Sequence, residues 1–247
     1  MEFLGARRHI GTTRRECRKE FYMLLTGTRG ARKCLLAALL LGALAASDVF
    51  CQENAFDRMA MNSYSKSLDH AGTAMTALSL LTPAVLFAAP TKDYWKIGLE
   101  YAETIAVAYG AKELCKLCVD RARPYTHFPG APLDKIDEWN DSFISGHTTL
   151  SFASASFTAY MFCKYFPDSE WKAPVIIGAY SLATATAVLR VASGSHYMTD
   201  VLCGALVGSA VGVLVPWLNS LWIKPSYKNQ NVQMTVTPAA FAVSLKF

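Results

Sequence analysis

The sequence predicts an all-α protein, a helical bundle of about six apolar helices that cross a membrane. Hydrophobic residues make up 52% of the 247 residues and charged residues only 17%, whereas ordinary soluble domains carry about 25% charge. The apolar residues are collected in long segments, and no strand-like alternation occurs before residue 230. The composition therefore favours a membrane protein, with an unusually apolar soluble bundle as the alternative.

The first 50 residues combine a basic stretch with a short apolar segment. Residues 1–33 contain nine Lys or Arg and three Glu, and such a flank is typical of the cytoplasmic side of a membrane. Cys34–Ser47 has 14 residues without a charge, fewer than the ~20 that a spanning helix needs. It resembles a signal-peptide core, and Ala43-Leu44-Ala45 supplies small residues for cleavage. We expect a signal peptide or a first transmembrane helix here, with Met23 as a candidate true start.

Five further apolar segments follow, and the sequence predicts a helix for each. They are Ala71–Pro90, Tyr94–Val119, Thr148–Cys163, Pro174–Val191 and Val201–Ile223. Pro83 predicts a kink in the first of these, because proline removes a backbone donor. The Tyr94 segment carries Glu100, Glu103, Lys112, Glu113 and Lys116. So charged a helix is expected to pack against partners or to line a cavity rather than to face lipid all round.

The last apolar segment contains Gly204, Gly208 and Gly212 at a spacing of four residues. On a helix this spacing makes a flat stripe that another helix can approach closely. The tail after it, residues 224–247, shows some alternation and β-branched residues, which is consistent with a short strand or with disorder.

The seven cysteines do not predict disulfides or a metal site. Their number is odd, and most lie inside apolar segments, unlike the framework of a small secreted protein. Cys115 and Cys118 form a C-x-x-C, but no second pair completes a zinc site. We interpret them as small residues that pack between helices.

Three polar clusters are expected to meet at one end of the bundle. Alternate crossings place the ends of the Tyr94 and Pro174 segments, and the starts of the Thr148 and Val201 segments, on one side. That end carries Lys116 with Arg123, then Ser145-Gly146-His147, then Arg190 with His196 and Asp200. If the N-terminus is cytoplasmic, this side is extracytoplasmic.

The cations and the helix start in these clusters are suited to a tetrahedral oxyanion such as phosphate. Lys116, Arg123 and Arg190 supply three fixed positive charges with many donors. Ser145 and Gly146 precede a predicted helix, so their backbone N–H groups and the Ser145 hydroxyl can bind the same anion.

The histidines are suited to covalent phosphoryl transfer. His196 and Asp200 are four residues apart and share a face if they lie on a helix. A carboxylate on one ring nitrogen would leave the other free as a nucleophile, and His147 could protonate the leaving group. This route, through a phosphohistidine, needs neither a metal ion nor another cofactor, because the three cations stabilise the transition state.

These motifs resemble the signature of a known superfamily. Lys116-x6-Arg123-Pro124, Ser145-Gly146-His147 and Arg190-x5-His196-x3-Asp200 are similar to the three motifs of the type-2 phosphatidic acid phosphatase and vanadium haloperoxidase superfamily. The resemblance covers residues 95–222, in the last four helices, and is specific because three separated pieces agree. It departs at Ile144, where the family usually has Pro, and at Leu189, where it often has Ser.

The resemblance implies a role for each residue. It implies phosphate binding by Lys116, Arg123, Ser145, Gly146 and Arg190. It further implies His196 as the nucleophile, His147 as the general acid and Asp200 as the partner of His196.

The expected function is a metal-independent phosphatase of the lipid phosphate branch, acting on a lipid phosphate or diphosphate outside the cytoplasm. Candidate substrates are phosphatidic acid, phosphatidylglycerol phosphate, undecaprenyl diphosphate and lipid A phosphates. The alternatives are a vanadium-dependent haloperoxidase and a non-enzymatic membrane protein with an anion site. A nucleic-acid partner is not expected, because no aromatic interleaving and no nucleic-acid-binding fold follow the basic segment.

The expected layout has a helical phosphatase domain over residues 51–223, between the N-terminal segment and the tail. We expect it in a bacterial-type inner membrane with the site facing the periplasm or the cell exterior. A periplasmic protein released by signal cleavage is the alternative.

Two charged features next to the motifs receive their own expectations. Arg121 lies two residues before Arg123, and we interpret it as a neighbouring helper or as a solvated side chain. Four carboxylates precede Ser145, and we interpret them as a solvated loop or, alternatively, as a lid that repels anionic lipid. They are Asp134, Asp137, Glu138 and Asp141.

Overall fold

The computed structural model describes residues 53–89 and 94–222, together with the backbone of two strands in the tail. The predictions for Cys34–Ser47, for signal cleavage and for a start at Met23 lie outside the described residues. The domain boundaries proposed above also remain predictions.

Six α-helices form the described part of the chain before the tail. They are α1 (Ala55–Arg58), α2 (Lys66–Leu80), α3 (Tyr94–Cys118), α4 (Gly146–Tyr165), α5 (Lys172–Ala192) and α6 (Met198–Trp222). Three 3₁₀ turns lie between them, at Thr82–Ala88, Pro124–His127 and Leu133–Glu138. The fold class predicted from the sequence, a helical bundle, is confirmed.

The break near Pro83 is also confirmed. Helix α2 ends at Leu80, and the chain continues as the 3₁₀ turn Thr82–Ala88 with Pro83 in its first turn. Proline suits this position because the N–H that it lacks would have no partner in the first turn. The five predicted helices are all present. Four of them begin two to five residues before the predicted apolar segment, whereas α3 begins at the predicted Tyr94 and ends one residue early, at Cys118.

Helix α4 is the central element and packs against α2, α3, α5 and α6. Its C-terminal half contributes Phe157, Met161 and Phe162 to a fully buried cluster with Leu86 and Ile97. Burial of such side chains stabilises each helix pairing by roughly 1.5–3 kcal/mol per side chain.

The same helix also buries a run of hydroxyl side chains, each of which has a hydrogen-bond partner. Ser154 Oγ donates to the Ser79 carbonyl at 2.8 Å, and Ser156 Oγ lies 2.7 Å from Tyr180 Oη. Such hydrogen bonds join neighbouring helices where apolar burial alone does not discriminate between partners.

The glycine stripe of α6 makes the close helix contact that its spacing predicts. A Cβ on Gly204 would lie 2.9 Å from the Ser145 carbonyl oxygen, one on Gly208 2.2 Å from that of Thr149, and one on Gly212 2.4 Å from that of Ala153. All three carbonyls belong to α4 or its N-cap, so the stripe fixes the distance between α4 and α6. This contact places the start of α6 beside the start of α4, where the polar clusters lie.

Three helical segments are long and apolar enough to cross a membrane. They are Lys66–Ala88, Lys172–Ala192 and Met198–Ser220. Large apolar side chains on their outer faces are exposed, such as Ile177, Val188 and Leu206. An exposed apolar surface on long helices is the surface that lipid covers.

The tail forms two strands, where the sequence indicated one. Strand β1 (Asn231–Thr237) pairs antiparallel with β2 (Ala240–Lys246), with Asn231 opposite Lys246. The alternation that we noted in the sequence is shared between them.

Candidate active site

A cavity of about 570 Å³ opens where α3 and α5 end and where α4 and the approach to α6 begin. Its wall contains six of the residues selected from the sequence, namely Lys116, Arg123, Gly146, His147, Arg190 and His196. The prediction that the three motifs meet at one end of the bundle is therefore confirmed. Ser145 and Asp200 do not line the cavity; both are fully buried behind its wall.

The turn between α5 and α6 brings Arg190 and His196 to the same wall. Gly194 has a φ of 72°, a conformation that glycine adopts without strain. A Cβ there would lie 2.3 Å from the Asn62 carbonyl oxygen, so the turn also needs a residue without a side chain. Helix α6 begins only at Met198, so His196 precedes it, and the helical face that we assumed for His196 and Asp200 is wrong.

The partner of His196 Nδ1 is a backbone carbonyl rather than Asp200. Nδ1 lies 2.8 Å from the Ser142 oxygen and 3.8 Å from Asp200 Oδ2, which is beyond hydrogen-bond distance. The carbonyl can only accept, so Nδ1 carries the proton and Nε2 keeps its lone pair. The tautomer required of a nucleophile is thus set by Ser142, and the direct bond expected from Asp200 is corrected.

Asp200 does not reach His196 because three other groups hold its carboxylate. Arg121 Nη1 binds Oδ1, while Ser142 Oγ donates to Oδ2 at 2.5 Å and the Tyr197 N–H donates to it at 2.9 Å. Asp200 therefore contacts the same residue, Ser142, whose carbonyl holds His196. Its effect on the histidine passes through that residue.

Arg121 is buried, so the interpretation of it as a solvated side chain is wrong. Its guanidinium lies between two fully buried carboxylates, that of Asp200 and that of Asp57, whose Oδ2 is 2.5 Å from Arg121 Nη2. It also lies 4.2 Å above the ring of Tyr197. Asp57 was missed in the sequence, and it further accepts the Thr199 N–H at 3.0 Å at the start of α6.

Asp69 on α2 is a second carboxylate that the sequence did not indicate. It binds Arg190 Nη1 through Oδ1 and Lys135 Nζ through Oδ2 at 2.6 Å, and it accepts a hydrogen bond from Ser195 Oγ at 3.1 Å. A carboxylate near the start of an otherwise apolar helix was the available signal. Its partners lie up to 126 residues away, so spacing alone does not reveal them.

Half of the acidic loop is part of the cavity: Asp134 and Asp137 are exposed and do not line it, as expected for a solvated loop, whereas Glu138 and Asp141 do. Glu138 Oε2 lies 3.1 Å from Arg123 Nη2. The Glu138 carbonyl also accepts from Arg123 Nε at 3.0 Å. A carboxylate of the loop therefore holds one of the cations that we expect to bind phosphate.

Ser145 does not direct its polar groups into the cavity, contrary to the expectation. Its N–H donates to the Asp200 carbonyl at 3.2 Å, and its hydroxyl pairs with Thr148 Oγ1 at 2.9 Å. The N–H groups of Gly146 and His147, in the first turn of α4, have no acceptor within the helix. Both residues line the cavity, so the N-terminus of α4 opens on it one residue later than predicted.

The surroundings of both histidines of the cavity favour their neutral forms. Burial, together with the positive charges of Arg123, Arg190 and Lys116, lowers the pKa of His196 well below its ordinary value. The pKa of His147 is also lowered, by burial and by Arg190. His147 Nε2 lies 3.4 Å from Thr73 Oγ1 on α2. The cavity thus combines two histidines whose neutral forms are favoured with the three cations of the motifs.

Known proteins resemble this chain in sequence over the same region. The PAP2 superfamily model matches residues 97–224. The lipid A 1-phosphatase of Porphyromonas gingivalis is 36% identical over 81 residues, which cover 33% of this chain and 17% of that protein. A PA-phosphatase related-family protein of Dictyostelium discoideum is 29% identical over 131 residues, 50% of this chain and 48% of that protein. The chain thus matches less than half the length of these two relatives.

A solved structure supports the fold. The PAP2 type phosphatidylglycerolphosphate phosphatase from Bacillus subtilis has 24% identity and a TM-score of 0.51, over 76% of this chain and 97% of that one. The superfamily model covers more than half of the chain and includes all three motifs, from Lys116 to Asp200. The protein is therefore a member of the PAP2 superfamily.

Proposed function

We propose that this protein hydrolyses the phosphate of a lipid, through a covalent phosphohistidine on His196. One observation carries the proposal most directly. A buried histidine with its proton held on Nδ1 by a carbonyl lines a cavity whose wall also carries Lys116, Arg123 and Arg190. A neutral nucleophile beside three cations is the arrangement that phosphoryl transfer without a metal ion requires.

In the first step, His196 Nε2 attacks phosphorus and the P–N bond forms. The bond from phosphorus to the leaving oxygen breaks, and its electron pair goes to that oxygen. Bound phosphate raises the proton affinity of His147, because its negative charge offsets the cations that lower the pKa of this histidine. His147 is then protonated and gives its proton to the leaving oxygen.

In the second step, water attacks the phosphorus of the phosphohistidine. His147, now neutral, takes a proton from the water. The P–N bond breaks, its electron pair returns to Nε2, and inorganic phosphate is released. Lys116, Arg123, Arg190 and the first-turn N–H groups of α4 hold the equatorial oxygens through both steps.

The proposal of a lipid substrate is supported by the position of the cavity and by the relatives. The cavity lies at the ends of helices that are apolar enough to cross a membrane, so a headgroup can enter while its chains stay in lipid. The Porphyromonas gingivalis relative is a lipid A 1-phosphatase, and the Bacillus subtilis structure is of a phosphatidylglycerolphosphate phosphatase. We further propose that the cavity faces the extracytoplasmic side, as the basic N-terminal residues indicate.

Phosphate release from a panel of lipid phosphates tests this function. The purified protein in detergent is compared with His196→Ala, with and without EDTA, and with His70→Ala as the control for loss of an exposed histidine on α2. We expect His196→Ala to lose activity by roughly 10⁴-fold or more, as when a covalent nucleophile is removed, and EDTA to have no effect. Wild-type rates in His196→Ala would overturn the mechanism, and no release from any lipid phosphate by the folded wild type would overturn the function.

A further inference from the structure

Two cations in the wall of the cavity lie outside the three motifs. Lys112 Nζ binds the carboxylate of its neighbour Glu113 on α3. The other cation is Lys135. It lies in the 3₁₀ turn Leu133–Glu138, on the loop that crosses the cavity between α3 and α4. Its Nζ is 2.6 Å from Asp69 Oδ2 on α2 and 5.2 Å from the centre of the Tyr64 ring. A quarter of the Lys135 side chain remains exposed, so the ammonium is held at the cavity without being sealed off.

Lys135 lies next to the position expected for phosphate. The two oxygens of the Asp69 carboxylate bind Arg190 and Lys135 respectively. The Lys135 ammonium and the Arg190 guanidinium are therefore bound by the two oxygens of one carboxylate. A phosphoryl group bound to Arg190 has Lys135 beside it rather than across the cavity.

Lys135 also lies on the same side of the cavity as the proton donor. His147 Nε2 contacts Thr73 Oγ1 at 3.4 Å, and that hydroxyl donates to the Asp69 carbonyl at 3.1 Å. The first two turns of α2 thus hold both His147 and Lys135. In an in-line transfer the leaving group departs opposite the nucleophile. With His196 as nucleophile and His147 as proton donor, as proposed above, it departs on the side of the cavity that α2 forms, where Lys135 also lies.

We infer that Lys135 binds a second phosphoryl group, on the leaving-group side, and that the preferred substrate is a lipid diphosphate. The inference rests on the proposed function and adds to it the class of substrate. An alcohol that leaves a phosphate monoester needs a proton and gives a fixed cation no charge to bind. The leaving group of a diphosphate is itself a phosphate, for which a lysine ammonium is a suitable partner.

The reaction on a diphosphate then runs as follows. His196 Nε2 forms a bond to the terminal phosphorus, and the bond from that phosphorus to the bridging oxygen breaks. The electron pair goes to the bridging oxygen, which leaves as an oxygen of the lipid monophosphate, with its new charge bound by Lys135. Water then hydrolyses the phosphohistidine as described above, so the products are lipid monophosphate and inorganic phosphate.

Asp69 acts as a positioning residue in this arrangement. Its carboxylate binds the Arg190 side chain through Oδ1 and the Lys135 side chain through Oδ2. The two cations and one carboxylate leave a net positive charge toward the substrate. If the salt bridge between Asp69 and Lys135 only fastened the loop, loss of Lys135 would reduce activity on all substrates equally. If Lys135 binds a second phosphoryl group, its loss reduces activity more on a diphosphate than on a monophosphate.

The test compares a polyprenyl diphosphate with the polyprenyl monophosphate of the same chain length, by initial rates of phosphate release in detergent. For wild type we expect kcat/KM to be higher on the diphosphate. For Lys135→Gln we expect a loss of roughly tenfold to a hundredfold on the diphosphate, as for a lost hydrogen bond to a charged group, and at most a few-fold on the monophosphate. Lys135→Arg keeps the charge and should keep the preference, and Lys66→Gln, on an exposed lysine of α2, should behave as wild type.

His147→Ala provides the reciprocal measurement. Because a phosphate leaves more readily without a proton than an alcohol does, this variant should lose more activity on the monophosphate than on the diphosphate. An equal loss on both substrates in Lys135→Gln, or no loss on either, would overturn the inference. A wild type active only on the monophosphate would also overturn it and leave the proposed function intact, whereas activity on neither lipid would mean that the proposed function itself fails.

Discussion

Arg121 and Asp200 form an ion pair that is closed to solvent and that keeps the Asp200 carboxylate 3.8 Å from His196 Nδ1. The second carboxylate on Arg121, that of Asp57, belongs to the short helix α1, before the region matched by the superfamily model. Three charges in a row are thus buried directly behind the proposed nucleophile. Breaking a buried pair costs far more than a surface pair is worth, because the remaining charge has no partner.

Replacement of Arg121 by methionine should therefore destabilise the protein strongly. It leaves Asp57 and Asp200 buried without a cation, and we expect a loss of about 3–5 kcal/mol in the free energy of unfolding. Chemical denaturation in detergent measures it. Arg58→Met is the matched control, since its side chain is 69% exposed and its nearest carboxylate is 3.9 Å away, and it should change stability by less than about 1 kcal/mol. Equal effects of the two substitutions would contradict the importance assigned to the buried charges.

The cations of the site could be predicted from the sequence, whereas their partners could not. Lys116, Arg123 and Arg190 follow from motif spacing and from the alternation of helices. Two buried arginines are bound by carboxylates that lie far away in the sequence. Asp57 is 64 residues from Arg121, and Asp69 is 121 residues from Arg190. Such contacts depend on how helices pack, and nothing local in the sequence encodes them.

The partner of His196 shows the same limit at short range. A spacing of four residues indicates a shared face only if both residues are helical. Here the turn at Gly194 delays the start of α6 to Met198, so the spacing from His196 to Asp200 has a different geometry. The fold was easier to predict, because apolar segments and small-residue stripes such as Gly204, Gly208 and Gly212 act through packing that periodicity encodes directly.

Gly208→Ala should disturb the contact between α4 and α6. The added Cβ would lie 2.2 Å from the Thr149 backbone oxygen, so the helices must separate, at a cost of about 1–3 kcal/mol or more. Gly178→Ala is the matched control on α5, because its Cβ would meet nothing within 4 Å. This control should stabilise the protein by up to ~1 kcal/mol through helix propensity. The unfolding midpoints of the two variants measure these changes in stability. A Gly208→Ala protein as stable as Gly178→Ala would refute the close contact between α4 and α6.

Glu138→Gln should strengthen the binding of substrate. The Glu138 carboxylate, which is 53% exposed, lies 3.1 Å from Arg123 Nη2, and a phosphate must compete with it for the same guanidinium. Removing the charge should lower KM roughly two- to fivefold, in the range of an exposed ion pair, with little change in kcat. Asp137→Asn removes the same charge from the same loop at an exposed residue that does not line the cavity. If both variants lower KM equally, the effect comes from the net charge of the loop rather than from Arg123.

Anion binding should be coupled to proton uptake by His147. Burial and the neighbouring Arg190 hold the pKa of His147 below its ordinary value. A bound dianion offsets those cations and accepts a hydrogen bond from the imidazolium, so the pKa rises on binding and the protonated form binds more tightly. Affinity must then increase as the pH falls through the pKa of the complex. Sulfate is a suitable anion for measuring this coupling, because its own charge does not change over the range from about pH 8 to about pH 5, in which an ordinary histidine titrates.

Titration calorimetry of the detergent-solubilised protein with sulfate measures the effect. For wild type we expect the affinity to rise by up to about tenfold for each pH unit lowered, the limit for uptake of one proton, and the measured heat to vary with the ionisation enthalpy of the buffer. His147→Ala should lose most of this slope, whereas His70→Ala, on the exposed surface of α2, should retain it. A wild-type affinity independent of pH, or a slope unchanged in His147→Ala, would remove His147 as the group that supplies the proton. The slope matters for the reaction because a histidine whose pKa is lowered can act as an acid only if bound substrate raises that pKa enough for it to take up a proton.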